Sequence, residues 1–225
     1  MNQAFPCSLG GTGLRLATFC VAAAVSFSAQ AKALTFEQIF SSKGEPATLH
    51  YQAVFVAKNT EHRVEVWRDG DRLVKRRTDD ALEIYASHKS GDAEFRMSIL
   101  DLKKRIHTRI DRTNLYRIGN FTDWFDLAHG LKHPTGQYQL AKAEAPDGAP
   151  KALAACQWYD LTQETRTSHI CWSTQSRIPL LIQADDGRAV WTIKSLDMKS
   201  IPSKTFEIHD EGFVRNNANE DIEKD

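Results

Sequence analysis

The sequence predicts a mainly β (α+β) fold: a strongly curved antiparallel sheet or unclosed β-barrel of about ten strands, wrapped around one or two short helices. Three observations predict it. Apolar and polar residues alternate in short runs, as they do in strands with one buried face. Turn dipeptides of the Asp-Gly type separate several of these runs. Helical periodicity is confined to two short stretches, so the helices serve to cover the sheet.

The alternating runs begin with a strand in which Leu49, Tyr51, Ala53 and Phe55 share one face. Four more runs follow, with their alternating positions at Val64 and Val66, at Leu82, Ile84 and Ala86, at Phe95, Met97 and Ile99, and at Ile106, Thr108 and Ile110. The turn signals are Asp69-Gly70, Ser90-Gly91-Asp92 and Asp186-Gly187. The opposite positions are largely polar, which predicts a sheet with one covered face and one face in water.

The first helical stretch covers residues 34–40, with Thr35 as a plausible N-cap, and the second covers residues 122–131. Gly130 and Pro134 end the second helix. Their apolar faces are formed by Phe36, Ile39 and Phe40 in the first helix and by Trp124, Phe125, Ala128 and Leu131 in the second. Both helices are amphipathic, so each is expected to pack against the covered face of the sheet.

Residues 1–33 have the pattern of a cleaved secretory signal peptide. Arg15 precedes an apolar run that is too short to span a membrane, and small-residue cleavage sites follow at residues 29–33. The folded domain is predicted over residues 34–215, and residues 216–225 form a flexible acidic tail. We therefore expect an exported, periplasmic protein that is soluble rather than membrane-spanning.

The charge balance argues against a nucleic-acid-binding protein. The 225 residues include 29 Lys and Arg and 29 Asp and Glu, so the formal charge is zero. A nucleic-acid binder would be expected to carry a clear excess of basic residues. The basic clusters at residues 75–77 and 103–105 are interpreted as solvated strand ends, with contact to lipid head groups or to an acidic partner as the alternative.

Export leaves two cysteines in the mature chain, Cys156 and Cys171, in an oxidising compartment. They lie in two short strand patterns on either side of a polar turn. A hairpin centred between Gln163 and Glu164 places the two cysteines directly opposite each other, within reach of a disulfide. The spacing does not match a redox-active Cys-x-x-Cys motif or a metal site, so we predict a structural disulfide.

No pattern in the sequence indicates catalysis. There is no nucleophile elbow, and the carboxylates are scattered without a pair suited to acid-base chemistry. His129 and His133 are four residues apart, a spacing that can place two metal ligands on one helix face, but no third ligand is evident. The sequence therefore predicts a protein that is not an enzyme and has neither a cofactor nor a bound metal.

Several segments together carry a family resemblance. Besides the two amphipathic helices, they are residues 51–55 (YQAVF), 177–180 (RIPL), 186–188 (DGR), 204–208 (KTFEI) and 211–213 (EGF). With them the chain resembles the bacterial outer-membrane lipoprotein carrier (LolA/LolB-like) superfamily. The resemblance covers nearly all of the mature chain. It implies an unclosed β-barrel with helices as a lid over a hydrophobic pocket. Known members bind lipoprotein acyl chains or act as periplasmic sensors of mislocalised lipoproteins.

The resemblance and the apolar pattern together define a candidate ligand cavity. Its lining residues are expected to be Tyr51, Phe55, Ile84, Phe95, Met97 and Ile99 on the sheet and Trp124, Phe125 and Leu131 on the lid. The function expected is non-covalent binding of a lipid or lipoprotein acyl chain in the periplasm, in lipoprotein sorting or transport. The alternative is an envelope sensor or protein-interaction module, in which the same residues form a filled core.

Overall fold

In the computed structural model, the described residues 33–89, 94–111, 124–150 and 155–218 form twelve strands of one open sheet. The strands are β1 (Thr48–Ala57), β2 (Thr60–Asp69), β3 (Leu73–Thr78), β4 (Leu82–His88), β5 (Phe95–Asp101), β6 (Ile106–Asp111), β7 (Gln139–Ala143), β8 (Gln157–Gln163), β9 (Arg166–Ser173), β10 (Ile178–Ala184), β11 (Ala189–Asp197) and β12 (Val214–Asn217). The helices are α1 (Phe36–Ile39) and α2 (Trp124–His129), with a short 3-10 helix at Ser203–Phe206. None of the helices in these ranges is long and apolar enough to cross a membrane.

The strands are ordered β12-β6-β5-β4-β3-β2-β1-β11-β10-β9-β8-β7 across the sheet. All neighbours are antiparallel except β12, which runs parallel to β6. The predicted mainly β class with an unclosed sheet is confirmed. The sheet is mixed and has two strands more than the ten or so expected. The chain leaves β11 near the middle of the sheet and returns to the far edge by a long crossover, the kind of connection that a parallel pair requires.

Both helices pack against the inner face of the sheet, as their apolar faces predicted. Leu127 and Ala128 of α2 belong to a buried cluster with residues of β1 to β6, together with Ile178 and Trp191. Phe36 and Phe40 form a second buried cluster with apolar residues of β7 to β9, among them Trp172. The helices therefore supply the apolar surface that each half of the sheet needs to exclude water.

Helix α1 begins where the sequence predicted. The hydroxyl of Thr35 accepts a hydrogen bond from the backbone N–H of Gln38, and the Gln38 side chain accepts one from the backbone N–H of Thr35. This reciprocal capping box pairs two of the N–H groups that a helix N-terminus leaves free. The cap positions Phe36, which is fully buried, against the sheet.

The segment between β11 and β12 lies on the outer face of the sheet. Its 3-10 helix contacts β3, and the Asp210 carboxylate accepts hydrogen bonds from the His107 Nδ1 at 2.7 Å and the Arg215 Nε at 2.9 Å. The hydrogen bonds from Arg215 and then His107 lower the pKa of Asp210 to about 2. This carboxylate therefore connects His107 of β6 to Arg215 of β12.

The disulfide between Cys156 and Cys171 is present, with its Cα atoms 5.4 Å apart. The predicted pairing of the strands is wrong, because Cys171 lies opposite Trp158 and the hairpin turns at Glu164 and Thr165. Cys156 lies in the bend directly before β8 and reaches Cys171 diagonally. A shift by two residues leaves Cys156 on the same face as Trp158, because strand residues alternate between faces. The bond lies on the outer face, beside Trp158 and Leu181.

Some sequence-based predictions concern residues outside the described ranges. They include the signal peptide apart from its last residue, the Ser90-Gly91-Asp92 turn, the start of the second helix at Thr122, and residues 219–225 of the tail. Within the tail segment, Asn216 and Asn217 belong to β12. The turns at Asp69-Gly70 and Asp186-Gly187 connect neighbouring strands as predicted.

Candidate functional site

The inner face of β1 to β6 is organised in rows of side chains that run across the strands. The strand register aligns one such row as Leu49, Arg68, Val74, Ala86, Met97 and Ile110. Every member of this first row is buried. Helix α2 lies over this end of the sheet, since the Arg68 guanidinium contacts the Ala128 carbonyl oxygen. The first row therefore forms a closed core beneath the helix.

The next row is only partly covered. It consists of Tyr51, Val66, Arg76, Ile84, Ile99 and Thr108. Tyr51, Val66 and Ile84 are buried, whereas Arg76, Ile99 and Thr108 are partly exposed. Beyond this second row, Leu82 and Phe55 are also partly exposed. The inner face thus changes from a closed core to a partly exposed apolar surface along the direction of the strands.

The nine residues predicted to line a cavity fall into two packed clusters. Tyr51, Ile84, Phe95 and Met97 are buried in the first cluster, with Phe55, Ile99 and Trp124 packed against it. Leu131 is buried in the second cluster, with Phe125 packed against it. The rings of Phe95 and Trp124 are 5.6 Å apart, so the sheet and α2 meet as predicted. The role of these residues in ligand binding stays a prediction.

A buried charged cluster lies between the first row and α2. The Glu45 carboxylate is 3.3 Å from the Arg68 Nη1 and 2.8 Å from the His129 Nε2. Arg68 also donates to the carbonyl oxygens of Ala128 and Ser176, at 3.3 and 3.4 Å. Arg68 is inaccessible to solvent, and a buried guanidinium requires this kind of pairing. The cluster holds α2 and the loop before β10 against β2.

His129 is buried with an acceptor oxygen at each ring nitrogen. Its Nδ1 lies 3.1 Å from the Phe125 carbonyl oxygen, and its Nε2 faces Glu45. Burial lowers the pKa of His129, and the hydrogen bond to Glu45 opposes that shift. A carbonyl oxygen can only accept, so Nδ1 carries a proton and donates it to Phe125. A hydrogen bond between Nε2 and the Glu45 carboxylate then requires a second proton, located between these two groups. The structure assigns His129 to this structural cluster.

The two histidines considered as metal ligands have separate partners. His133 Nδ1 lies 3.0 Å from the Asp126 Oδ1, while His129 pairs with Glu45. Within the described ranges, no group of three or more His, Cys, Asp or Glu side chains is placed to hold a metal ion.

The basic cluster at residues 75–77 is divided between the two faces of β3. Lys75 and Arg77 point outward and lie 3.6 and 3.2 Å from the Glu83 carboxylate. Arg76 points inward and its guanidinium carbon lies 5.7 Å from the centre of the Phe55 ring. The interpretation as a solvated strand end therefore describes neither Arg76 nor Lys75, whose side chain is only 15% exposed. The alternation of β3 contained this signal, because Val74 and Arg76 are two residues apart and share a face.

The Tyr51 hydroxyl is a second polar group on the inner face. Tyr51 is 1% exposed, and within the described residues its hydroxyl has no hydrogen-bond partner. Burial raises the pKa of this phenol to about 12, so it remains a neutral donor. A buried hydroxyl without a partner is costly, which makes Tyr51 a candidate for contact with a ligand.

Comparisons with known proteins show a distant similarity only. No family model matches the sequence, and no curated protein matches it. A solved structure described as the crystal structure of MucB matches with 11% sequence identity and a TM-score of 0.37. The match covers 78% of this chain and 62% of that chain, so this protein spans less than two thirds of the matched structure. At this level of similarity, no conclusion about fold, family or function is drawn from the match.

Proposed function

We propose that the protein binds an apolar ligand, a lipid or lipoprotein acyl chain, without covalent chemistry. The observation that carries this proposal is the partly exposed apolar surface of Phe55, Leu82 and Ile99, which continues the buried core beneath α2. An acyl chain on this surface would be stabilised by roughly 0.8 kcal/mol per buried methylene group. Binding of this kind requires no cofactor and no enzymatic step.

The compartment we propose is the periplasm. The disulfide between Cys156 and Cys171 supports an oxidising environment, and the pattern of residues 1–33 supports export. Lipoprotein sorting or transport is the process that such a binder would serve.

A second candidate function is binding to another envelope protein. The observation that favours it is β12, an edge strand whose four residues are all exposed and in which Val214 is 69% exposed. The outer side of an edge strand is a place where a partner can add a strand of its own.

Native mass spectrometry of protein purified from its own envelope distinguishes the two functions. Co-purification of a lipid or lipoprotein, with binding of a fluorescent fatty acid, is expected for the ligand binder. Recovery without either, together with no binding of the fatty acid, would overturn it. A stoichiometric protein partner in place of a lipid would support the interaction module.

A matched pair of variants locates the binding surface. Ile99→Glu places a charge on the proposed apolar surface and is expected to weaken binding of the fluorescent fatty acid at least about tenfold, because a carboxylate is poorly tolerated in an apolar contact. Val214→Glu adds the same charge on the exposed edge strand and is expected to leave affinity unchanged. Equal affinities of the two variants would contradict this location.

A further inference from the structure

We propose that Arg76 and Tyr51 bind the anionic head group, a carboxylate or a phosphate, of a single-chain lipid whose tail lies on the neighbouring apolar surface. The inference rests on the proposed function and adds the chemical class of the ligand and its orientation. Arg76 lies in the second row of the inner face, between Val66 and Ile84.

The contrast between two inward-facing arginines carries this inference. Arg68 and Arg76 are both on the inner face, in neighbouring rows. Arg68 is paired with Glu45 and with two carbonyl oxygens. The structure gives the Arg76 guanidinium no hydrogen bond and no ion pair with any described residue; its recorded contact is with the face of the Phe55 ring. Arg76 is only partly exposed, and a partly desolvated cation without a counter-ion is unfavourable, so an anion is the group that this position accommodates.

Tyr51 supplies a second donor in the same row. Only Val66 separates Tyr51 from Arg76 across the sheet, and the positive charge of Arg76 partly opposes the rise in the pKa of Tyr51 that burial causes. The buried phenol hydroxyl has no partner among the described residues, and it keeps its proton at neutral pH. A guanidinium and a hydroxyl on one row match an anion with several acceptor oxygens, as in a carboxylate or a phosphate.

The apolar surface gives the bound lipid its direction. Ile84 and Ile99 continue the row beyond Arg76, and Leu82 lies beside them in the next row. Ile99 and Leu82 are partly exposed, so an alkyl chain can remove apolar surface from water there. The Arg76 guanidinium lies over the face of the Phe55 ring, and its N–H groups, which make no hydrogen bond to a described residue, are the donors for the head group.

Three ligands with sixteen-carbon chains distinguish the contribution of the head group to affinity from that of the tail. They are hexadecanoic acid, hexadecyl phosphate and methyl hexadecanoate. The full-length mature protein is expected to bind at least one of the two anions about tenfold or more tightly than the uncharged ester, as a charge-assisted hydrogen bond predicts. The preferred anion identifies the head group. In Arg76→Gln this preference should disappear while affinity for the ester is retained.

Matched variants test whether the preference for the anion depends on Arg76 and Tyr51 in particular. Arg96→Gln removes an exposed arginine from the outward face of β5 and should keep the preference for the anion. Tyr51→Phe should reduce the preference severalfold by removing one donor. Arg76→Lys keeps the charge but not the planar guanidinium, and it should give an intermediate preference, which covers the case in which Arg76→Gln does not fold.

The outcomes are distinguishable from failure of the proposed function. Equal affinity of the wild-type protein for the acid, the phosphate and the ester would overturn the head-group assignment but leave the apolar binding surface intact. An anion preference that persists in Arg76→Gln would also overturn it. Absence of binding for all three ligands would overturn both proposals.

Discussion

Gly130 shows how a single residue limits the geometry between α2 and the sheet. It follows α2 directly, has a φ of +69°, and its N–H donates to the Asp126 carbonyl oxygen. A Cβ at this position would lie 2.8 Å from a carbon of the Trp191 ring and 3.3 Å from the Tyr51 hydroxyl. The position therefore requires glycine both for its backbone conformation and for its close approach to β1 and β11.

Gly130→Ala is expected to lower the free energy of unfolding by about 2 to 4 kcal/mol, because it combines left-handed strain with overpacking. Gly136→Ala is the control, since Gly136 has a φ of +76° and open space around it. That variant should cost only the backbone strain, about 1 to 2 kcal/mol. Urea unfolding of both variants measures the difference. Equal losses would show that the contact with Trp191 has no energetic weight.

Arg76 shows what residue-level reading of the sequence can miss. A run of three basic residues is most often a solvated surface. Lys75 and Arg77 instead pair with the buried Glu83 on the outer face. The third points inward because β3 alternates. Its lack of a counter-ion among the described residues depends on side chains from other strands, which no local pattern specifies.

At the level of elements, the β8–β9 hairpin shows that the local sequence pattern determines the strands, whereas the turn geometry determines their register. The two strands and the cysteine pair were predicted correctly, but the predicted register was wrong. The turn lies at Glu164 and Thr165, and Glu164 has a φ of +53°. Two-residue hairpin turns require positive φ, which is usually signalled by glycine or asparagine. Glutamate carries no such signal, so the sequence placed the turn one residue too early.

Replacing both cysteines, as in Cys156→Ala with Cys171→Ala, is expected to lower the free energy of unfolding by about 3 kcal/mol. The disulfide closes a loop between residues 15 apart, and its loss increases the conformational entropy of the unfolded chain. Urea unfolding in the absence of reductant measures the loss. Wild-type protein treated with reductant should approach the variant. Equal electrophoretic mobility and thiol labelling of the wild type with and without reductant would contradict the bond.

At the scale of the whole molecule, the Glu45–Arg68–His129 cluster joins distant parts of the chain. Glu45 precedes β1, Arg68 lies in β2, and His129 ends α2. Arg68 also donates to the carbonyl oxygen of Ser176, in the loop that connects β9 and β10 in the other half of the sheet. These contacts fix α2 against the inner face, where the closed first row gives way to the partly exposed second row.

Glu45→Ala is expected to lower the free energy of unfolding by about 3 kcal/mol or more, because it leaves the fully buried Arg68 without its counter-ion. Glu65→Ala removes a partly exposed carboxylate that pairs with His50, and it should cost about 1 kcal/mol or less. Thermal and urea unfolding compare the two variants. Similar losses would show that the buried cluster does not hold the fold together.

The sequence by itself determined the mainly β class, the capped first helix, the disulfide partners and the apolar face, because each depends on local periodicity or on a few neighbouring residues. The tertiary structure decided the strand order, the parallel β12 and the hairpin register. It also decided which inward-facing arginine is paired. These features depend on contacts between segments far apart in the chain, such as Arg68 with Ser176, and on backbone conformations that no residue type signalled.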